Sequence, residues 1–246
     1  MGKQRIKFDF LVHDLKVPLA VIEAGLTSLI QKTDKYGPLT DKQLKVLKRA
    51  LRNTLVTRTL VNDALELGRS SQGIINKASF PLSGFVVQTL VEIFDLVDLE
   101  ASDCVRGCDT LSVLKEQLSE KGIFLTVDEG LWHQEVRMDE SKMKQIIRNL
   151  LSNALKYKKK RVELKIGKEE DSFVVIVCDD GDGIPSGYHD KIFECYFQMD
   201  MQGDYCVRGH GMGLAGVMVL VEDMGGRMFL DSDVGKGATF SVKVPL

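Results

Sequence analysis

The chain has 246 residues, with 33 Lys and Arg against 35 Asp and Glu, 44% hydrophobic residues and a formal net charge of -2. This is the composition of a globular protein with one large or two small domains, and it excludes disordered, collagen-like and disulfide-stapled chains. The near-neutral charge predicts no nucleic-acid partner. Five scattered cysteines indicate free thiols in a reducing compartment. No apolar run approaches the roughly 20 residues of a membrane span, so we expect a cytoplasmic location.

Apolar residues recur every three or four positions from Phe8 to about Lys32, which predicts an amphipathic helix. We expect this helix to stop near Gly37, and Thr40 is placed to cap a second helix from Asp41 to about Leu67. The second helix carries two apolar stripes, and an isolated hairpin cannot cover both. The sequence therefore predicts a helical hairpin that dimerises into a four-helix bundle.

A small polar segment, Gly68 to Gly73, predicts a linker to a second domain. Beyond it, helix and strand patterns alternate, which is typical of an α/β sandwich and makes the whole chain α+β. The predicted helices are Phe85 to about Leu96, Leu111 to Glu120, Glu140 to Tyr157 and Leu214 to Met224. The predicted strands are Ile123 to Val127, Val162 to Ile166, Phe173 to Cys178, Met228 to Ser232 and Thr239 to Val244. The stretch from Asp98 to Asp109 fits neither pattern.

Three glycine-containing segments follow in order where a nucleotide site would need them. Asp179 to Pro185 comes directly after an apolar strand, so a carboxylate there can accept a hydrogen bond from an exocyclic amine while glycines let the backbone approach a flat base. Gly209 to Leu214 opens a helix whose bare amides can hold phosphates. Gly235 to Gly237 is typical of a turn. Each segment alone is more often an ordinary turn between two elements. The order of all three along the chain nevertheless predicts an adenine-nucleotide site.

The helix before these segments carries Asn149 and Asn153 four residues apart, and therefore on one face, with Lys156 and Tyr157 a turn later. Amide oxygens are hard ligands that suit Mg²⁺, and a lysine can reach a phosphate. The structural alternative is that the two asparagines only cap or bridge backbone groups.

Four segments of the second domain resemble, in order and spacing, the N, G1, F and G2 boxes of sensor histidine kinases. They are Asn149 to Tyr157, Asp179 to Pro185, Ile192 to Phe197 and Gly209 to Leu214. Phe10 to Leu19 resembles the H box of the same family. The resemblance covers about Phe8 to Leu246, with Leu96 to Leu111 as the misfit. It implies a dimerisation and phosphotransfer domain, residues 1–70, followed by an ATP-binding α/β sandwich, residues 74–246, of the type found in Hsp90 and DNA gyrase.

His13 is the phosphorylated residue that this resemblance implies. At about 100° per residue it lies opposite the apolar seam of its helix, so we expect it to face solvent. A neutral imidazole can attack the γ-phosphorus of ATP, and Asp14 can orient the ring, accept its proton and stabilise the resulting cation. Lys16 and Pro18 also match the family, and we expect Pro18 to bend the helix.

The resemblance further implies that Asp179 reads the adenine amine, that Asn153 with Asn149 holds Mg²⁺, and that Lys156 and Tyr157 contact the nucleotide. The resemblance assigns the shape of the pocket and the hinge of a lid, Cys195 to Arg208, to Gly181, Gly183, Gly209, Gly211 and Gly213. It makes Arg208 and His210 candidate phosphate contacts and places Leu214 in the nucleotide site.

We therefore expect a homodimeric, ATP-dependent protein histidine kinase that phosphorylates His13 and passes the phosphoryl group to an aspartate of a response regulator, under an upstream sensor. Two alternatives stay open: a catalytically degenerate dimeric docking module, and an ATPase of the gyrase, Hsp90 and MutL group. Val17 stands where many relatives have Thr or Asn to position water, which predicts weak phosphatase activity. We expect structural roles for Cys104, Cys108 and the basic corner Lys158 to Arg161.

Overall fold

The computed structural model describes residues 2–70, 75–194 and 213–246. The chain divides into two compact units, Met1–Gln72 and Gly73–Leu246. No helix in the described ranges is both long enough and apolar enough to cross a membrane.

The first unit is a hairpin of two long helices, α1 (Gly2–Gln31) and α3 (Asp41–Ser70), joined through the single-turn helix α2 (Thr33–Tyr36). A reciprocal capping box starts α3. The Thr40 hydroxyl accepts a hydrogen bond from the Gln43 backbone N–H at 3.3 Å, and the Gln43 side-chain oxygen accepts one from the Thr40 N–H at 2.9 Å. The predicted hairpin and its Thr40 cap are confirmed.

The predicted linker is wrong at its start, because α3 continues through Gly68 and Arg69 to Ser70. Extending an existing helix adds one hydrogen bond per residue, which can outweigh the roughly 1 kcal/mol cost of a single glycine. Residues 71–74 lie outside the described ranges. The first helix runs through Pro18 as one continuous element.

The second unit is an α/β structure with six helices and seven strands among its described residues. The strands are β1 (Lys77–Pro81), β2 (Ile123–Val127), β3 (Glu135–Asp139), β4 (Val162–Glu169), β5 (Ser172–Asp179), β6 (Arg227–Ser232) and β7 (Ala238–Pro245). The helices are α4 (Leu82–Val97), α5 (Leu99–Arg106), α6 (Leu111–Glu120), α7 (Glu129–Trp132), α8 (Glu140–Tyr157) and α9 (Gly213–Asp223).

Five strands form one mixed sheet in the order β2-β4-β5-β7-β6, in which only β2 and β4 are parallel. Helix α8 packs on β4 and β5, α9 packs on β6 and β7, and α6 packs beside β2. Alternate residues of β5, namely Phe173, Val175 and Val177, are buried, as are Ile146 and Leu150 of α8. The predicted fold class, a helical region followed by an α/β domain, is confirmed.

The sequence patterns do not predict β1, β3, α5 or the four-residue helices α2 and α7. Strands β1 and β3 form a separate antiparallel pair, and Phe80 is the one buried residue of β1, so that strand shows no alternation. The stretch from Asp98 to Asp109 contains α5: the Asp98 carboxylate accepts a hydrogen bond from the Ala101 N–H at 3.1 Å and so caps this helix.

Candidate functional site

Among the described residues, Asp179, Gly181 and the end of α8 at Tyr157 lie together at one end of the strands of the sheet. Asp179 ends the central strand β5 and lies opposite Val162, the first residue of β4, and Ala238, the first residue of β7. Three connections therefore meet beside Asp179: the turn from α8 into β4, the loop after β5 and the turn from β6 into β7.

Asp179 is a buried carboxylate held by backbone donors. It is 7% exposed, its Oδ1 accepts a hydrogen bond from the Gly181 N–H at 2.9 Å, and the Ala238 backbone N–H also donates to it. Burial raises its pKa, and those two backbone donors oppose the rise only in part. The site thus fixes a strong hydrogen-bond acceptor in a poorly solvated place, which suits recognition of an exocyclic amine.

The adjacent Asp180 has a different environment. Its Oδ1 accepts hydrogen bonds from the backbone N–H groups of Lys159 at 2.8 Å and Lys160 at 3.0 Å, and its own N–H donates to the Arg161 carbonyl at 3.2 Å. Hydrogen bonds from the backbone of Arg161, then of Lys160 and Lys159, lower the pKa of this carboxylate to about 2. This carboxylate ties the loop after β5 to the turn that follows α8.

Gly181 occupies a position with no room for a side chain. A Cβ there would lie 2.6 Å from the Tyr157 carbonyl oxygen and 2.7 Å from Oδ1 of Asp179. Its backbone therefore packs tightly against both the end of α8 and the buried carboxylate.

Gly183 and Gly237 lie where the loop after β5 packs against the turn from β6 into β7. Both have a positive φ, +71° and +81°, and a Cβ would lie 1.9 Å from the carbonyl oxygen of Asp233 and of Asp179, respectively. The Gly235 N–H donates to the Asp182 carbonyl at 2.7 Å across the same junction. Gly237, which the sequence indicates only as a turn residue, thus contacts the main chain of Asp179.

Helix α8 carries the other predicted nucleotide residues that the structure describes. Asn149 and Asn153 are half-buried one turn apart, and the Asn149 amide donates to the Gly213 carbonyl at 3.4 Å, at the start of α9. Lys156 and Tyr157 are exposed in the last turn. They contact each other: the ammonium lies 3.1 Å from the phenol oxygen and 4.8 Å from the ring centroid.

Helix α9 begins at Gly213, and Leu214 is half-buried. The predicted lid, Cys195 to Arg208, and the predicted phosphate residues Gly209, His210 and Gly211 lie outside the described residues, as does Arg208 itself.

The H-box residues His13 and Asp14 lie in α1, with side chains outside the described ones, and Lys16 is exposed.

The donor chemistry of this edge fits a magnesium nucleotide. Asn149 and Asn153 offer amide oxygens, which are hard donors for a cation that phosphates also bind. Asp179 offers a buried acceptor, and Gly181 offers backbone close enough to line a base. In ranges 2–70, 75–194 and 213–246, no three His, Cys, Asp or Glu side chains form a group that could hold a metal.

The remaining candidates have structural contacts. The Cys108 thiol donates to the Cys104 carbonyl oxygen at 3.2 Å, and burial is the main cause that raises its pKa, which makes it a poor nucleophile. In the basic corner, the Lys158 ammonium donates to the Lys121 carbonyl at 2.9 Å.

Two family models match separate parts of the chain. Residues 8–73 match the His Kinase A (phospho-acceptor) domain, and residues 138–246 match the histidine kinase-, DNA gyrase B- and HSP90-like ATPase.

Curated relatives include the circadian input-output histidine kinase CikA of Synechococcus elongatus, which is 30% identical over 97% of this chain and 30% of its own length. The aerobic respiration control sensor protein ArcB of Escherichia coli is 30% identical over 94% of this chain and 27% of its own length. The chain therefore spans less than a third of these relatives.

Solved structures share the fold. Full-length ShkA in complex with AMPPNP superposes with a TM-score of 0.65 at 23% identity, over 97% of this chain and 45% of that one. The Acinetobacter baumannii histidine kinase AdeS superposes with a TM-score of 0.55 at 20% identity, over 95% of this chain and 97% of that one.

Proposed function

This chain belongs to the sensor histidine kinase family, and we propose from that premise that it is an ATP-dependent protein histidine kinase of two-component signalling. The proposal depends most on two features of one chain. His13 lies on a helix of the hairpin, and Asp179, a buried carboxylate that can accept a hydrogen bond from adenine, ends the central strand of the sheet.

The reaction has two phosphoryl transfers. A ring nitrogen of His13 attacks the γ-phosphorus of ATP, an N–P bond forms, the bond from the γ-phosphorus to the bridging oxygen breaks, and ADP leaves. Asp14 accepts the imidazole proton and stabilises the cation. An aspartate of a response regulator then attacks the phosphorus, so that an O–P bond replaces the N–P bond and His13 is restored.

Nucleotide binding is assigned to the sheet edge. Asp179 accepts a hydrogen bond from the adenine amine, Asn153 with Asn149 provides the amide oxygens that would hold Mg²⁺, and Lys156 and Tyr157 contact the phosphates or the nucleotide. Bound Mg²⁺ would neutralise charge on the transferring phosphoryl group. Gly181, Gly183, Gly213 and Leu214 shape the pocket, together with Arg208, Gly209, His210 and Gly211 of the lid region.

The hairpin is proposed to dimerise. Four apolar side chains of α1 are 42–67% exposed in the single chain, and they are Leu15, Val17, Val21 and Ile22. A second hairpin that completes a four-helix bundle would cover such a surface. Residues 1–70 then form the dimerisation and phosphotransfer domain and residues 74–246 the ATP-binding domain, acting in the cytoplasm with a response regulator and an upstream sensor.

Autophosphorylation with γ-labelled ATP and Mg²⁺ tests the proposal. We expect label that is acid-labile and alkali-stable, as for a phosphohistidine. We expect His13→Gln to abolish it, while the matched control His133→Gln, at an exposed histidine of the second unit, leaves it unchanged.

Nucleotide binding without label in the wild type would overturn the proposal in favour of a degenerate docking module. Hydrolysis of ATP without label on His13 would instead indicate an ATPase of the gyrase and Hsp90 type.

A further inference from the structure

We propose that Asp180 is a positioning residue that fixes the base-reading carboxylate of Asp179 against the C-terminal end of α8, so that Asp180 determines nucleotide affinity and base preference without touching the nucleotide. The proposal rests on the assignment of Asp179 as the adenine acceptor. It assigns a role to the residue between Asp179 and Gly181, which the sequence pattern leaves without one.

Four hydrogen bonds join Asp180 to the turn between α8 and β4. Oδ1 accepts from the Lys159 N–H at 2.8 Å and from the Lys160 N–H at 3.0 Å, and Oδ2 accepts from the Lys160 N–H at 3.0 Å. The Asp180 N–H donates to the Arg161 carbonyl at 3.2 Å. Every partner is a backbone group, so these bonds fix the path of the main chain.

The residues on both sides of this junction belong to the proposed nucleotide site. Lys159 follows Tyr157 by two residues, and Asp179 directly precedes Asp180. Between them, Gly181 fits so closely that a Cβ would lie 2.6 Å from the Tyr157 carbonyl oxygen and 2.7 Å from Oδ1 of Asp179. Release of the Asp180 bonds would therefore let the end of α8 and the base acceptor move apart.

These contacts suit a carboxylate in this position. Oδ1 accepts from both backbone N–H groups and Oδ2 also accepts from the Lys160 N–H, so an asparagine keeps the Oδ1 contacts but loses the second acceptor. Asp182 is a natural comparison, because it lies in the same loop but forms an exposed ion pair with the Lys159 ammonium at 2.6 Å.

The experiment measures dissociation constants for ATP and GTP by calorimetry, on the full chain, for Asp180→Ala, Asp180→Asn and the control Asp182→Asn. We expect Asp180→Ala to weaken ATP binding about tenfold and to reduce the preference for ATP over GTP by a similar factor. We expect Asp180→Asn to lose less affinity than Asp180→Ala, because it keeps one acceptor oxygen, and Asp182→Asn to stay within about twofold of the wild type. If Asp180→Ala does not fold, Asp180→Glu replaces it, since the extra methylene displaces the carboxylate while it keeps the charge.

A lower thermal stability with unchanged ATP affinity and unchanged base preference would overturn the proposal, because that is what a purely structural residue would show. Equal losses in Asp180→Asn and Asp180→Ala would also overturn it. Binding is independent of phosphorylation, so a wild type that binds ATP but gains no label on His13 would refute the kinase assignment alone.

Discussion

Asp179 and Asp180 are neighbours at the end of β5, but their pKa values are shifted in opposite directions because their surroundings differ. Burial raises the pKa of Asp179, whereas backbone hydrogen bonds lower that of Asp180 to about 2. A raised carboxyl pKa means that the folded state binds a proton more readily than the unfolded chain, so ionised Asp179 costs stability at neutral pH. Asp180 contributes stability above the pKa of an unperturbed aspartate, and this contribution is lost as the pH falls through about 2.

Asp179→Asn should therefore stabilise the nucleotide-free protein and weaken ATP binding at the same time. The amide cannot ionise, so we expect a higher melting temperature at neutral pH and a difference from the wild type that shrinks as the pH is lowered. Loss of a charge-assisted hydrogen bond should weaken ATP binding ten- to a hundredfold. Calorimetric melting at several pH values, with exposed Asp171→Asn as the control, checks both effects. A melting temperature below that of the wild type would contradict the expectation.

Gly183→Ala should destabilise the second unit by at least about 2 kcal/mol, because a Cβ would meet the Asp233 carbonyl at 1.9 Å and the residue has a positive φ. This corresponds to a drop in melting temperature of roughly 4–8 °C. Gly187→Ala is the matched control, since a Cβ there has nothing within 4 Å. Similar melting of the two variants would show that the junction of the two loops tolerates a side chain.

At the scale of elements, α8 and α9 are joined at both ends. The Lys142 ammonium, near the start of α8, binds the Asp223 carboxylate at the end of α9 at 2.7 Å, with both side chains at most 14% exposed. Asn149 contacts Gly213 at the start of α9. The two helices thus run antiparallel, and the ion pair fixes the position of the α9 N-terminus along α8.

Lys142→Met should cost about 3 kcal/mol of unfolding free energy, because a buried carboxylate loses its ammonium partner. The double variant Lys142→Met with Asp223→Leu should cost less than Lys142→Met alone. Chemical denaturation measures both, and Lys243→Met, which breaks an exposed pair with Glu169, should cost under about 1 kcal/mol. A double variant no more stable than Lys142→Met alone would contradict this expectation.

Helices and strands can be predicted from the sequence when their apolar residues recur with the period of that element. The predicted bounds of α6, α8 and β2 agree with the structure residue for residue. Strand β1 does not follow from local pattern, because it contains Pro81 and its partner β3 lies over 50 residues away. Helix α5 is only eight residues long and depends on the Asp98 cap, a signal too short to distinguish from a loop.

In the candidate site, too, some features can be predicted from local sequence and others depend on the folded sheet. Asp179 and the glycines stand out because they follow an apolar strand in a recognisable order. The backbone contacts of Asp180 and the packing of Gly237 against Asp179 depend on segments that are about 20 to 58 residues apart in sequence, so only the folded sheet brings them together.

At the scale of the molecule, charge is unevenly divided. Residues 1–70 carry 13 Lys and Arg against 7 Asp and Glu, whereas residues 71–246 carry 20 against 28. The near-zero net charge of the whole chain therefore combines a basic hairpin with an acidic α/β unit. We expect added salt to slow a reaction between the two when they are supplied as separate polypeptides.

Separation of the proposed domains tests this organisation. We expect residues 74–246 alone to bind ATP within about threefold of the full chain, and to label His13 when residues 1–70 are added as a second polypeptide. Labelling should be slower than in the intact chain, because a tether supplies an effective concentration in the millimolar range. It should also slow further as salt is raised. Failure of residues 74–246 to bind ATP would show that the site needs the hairpin.

The position of β7 in the sheet makes the proposed nucleotide site depend on a strand that is distant in sequence. Strand β5 is paired on one side by β4 and on the other by β7, and Gly237 just before β7 contacts Asp179. A folding intermediate in which β7 has not yet paired would leave one side of β5 without its neighbour. The surroundings of Asp179 are therefore complete only after a pairing between residues about 60 positions apart.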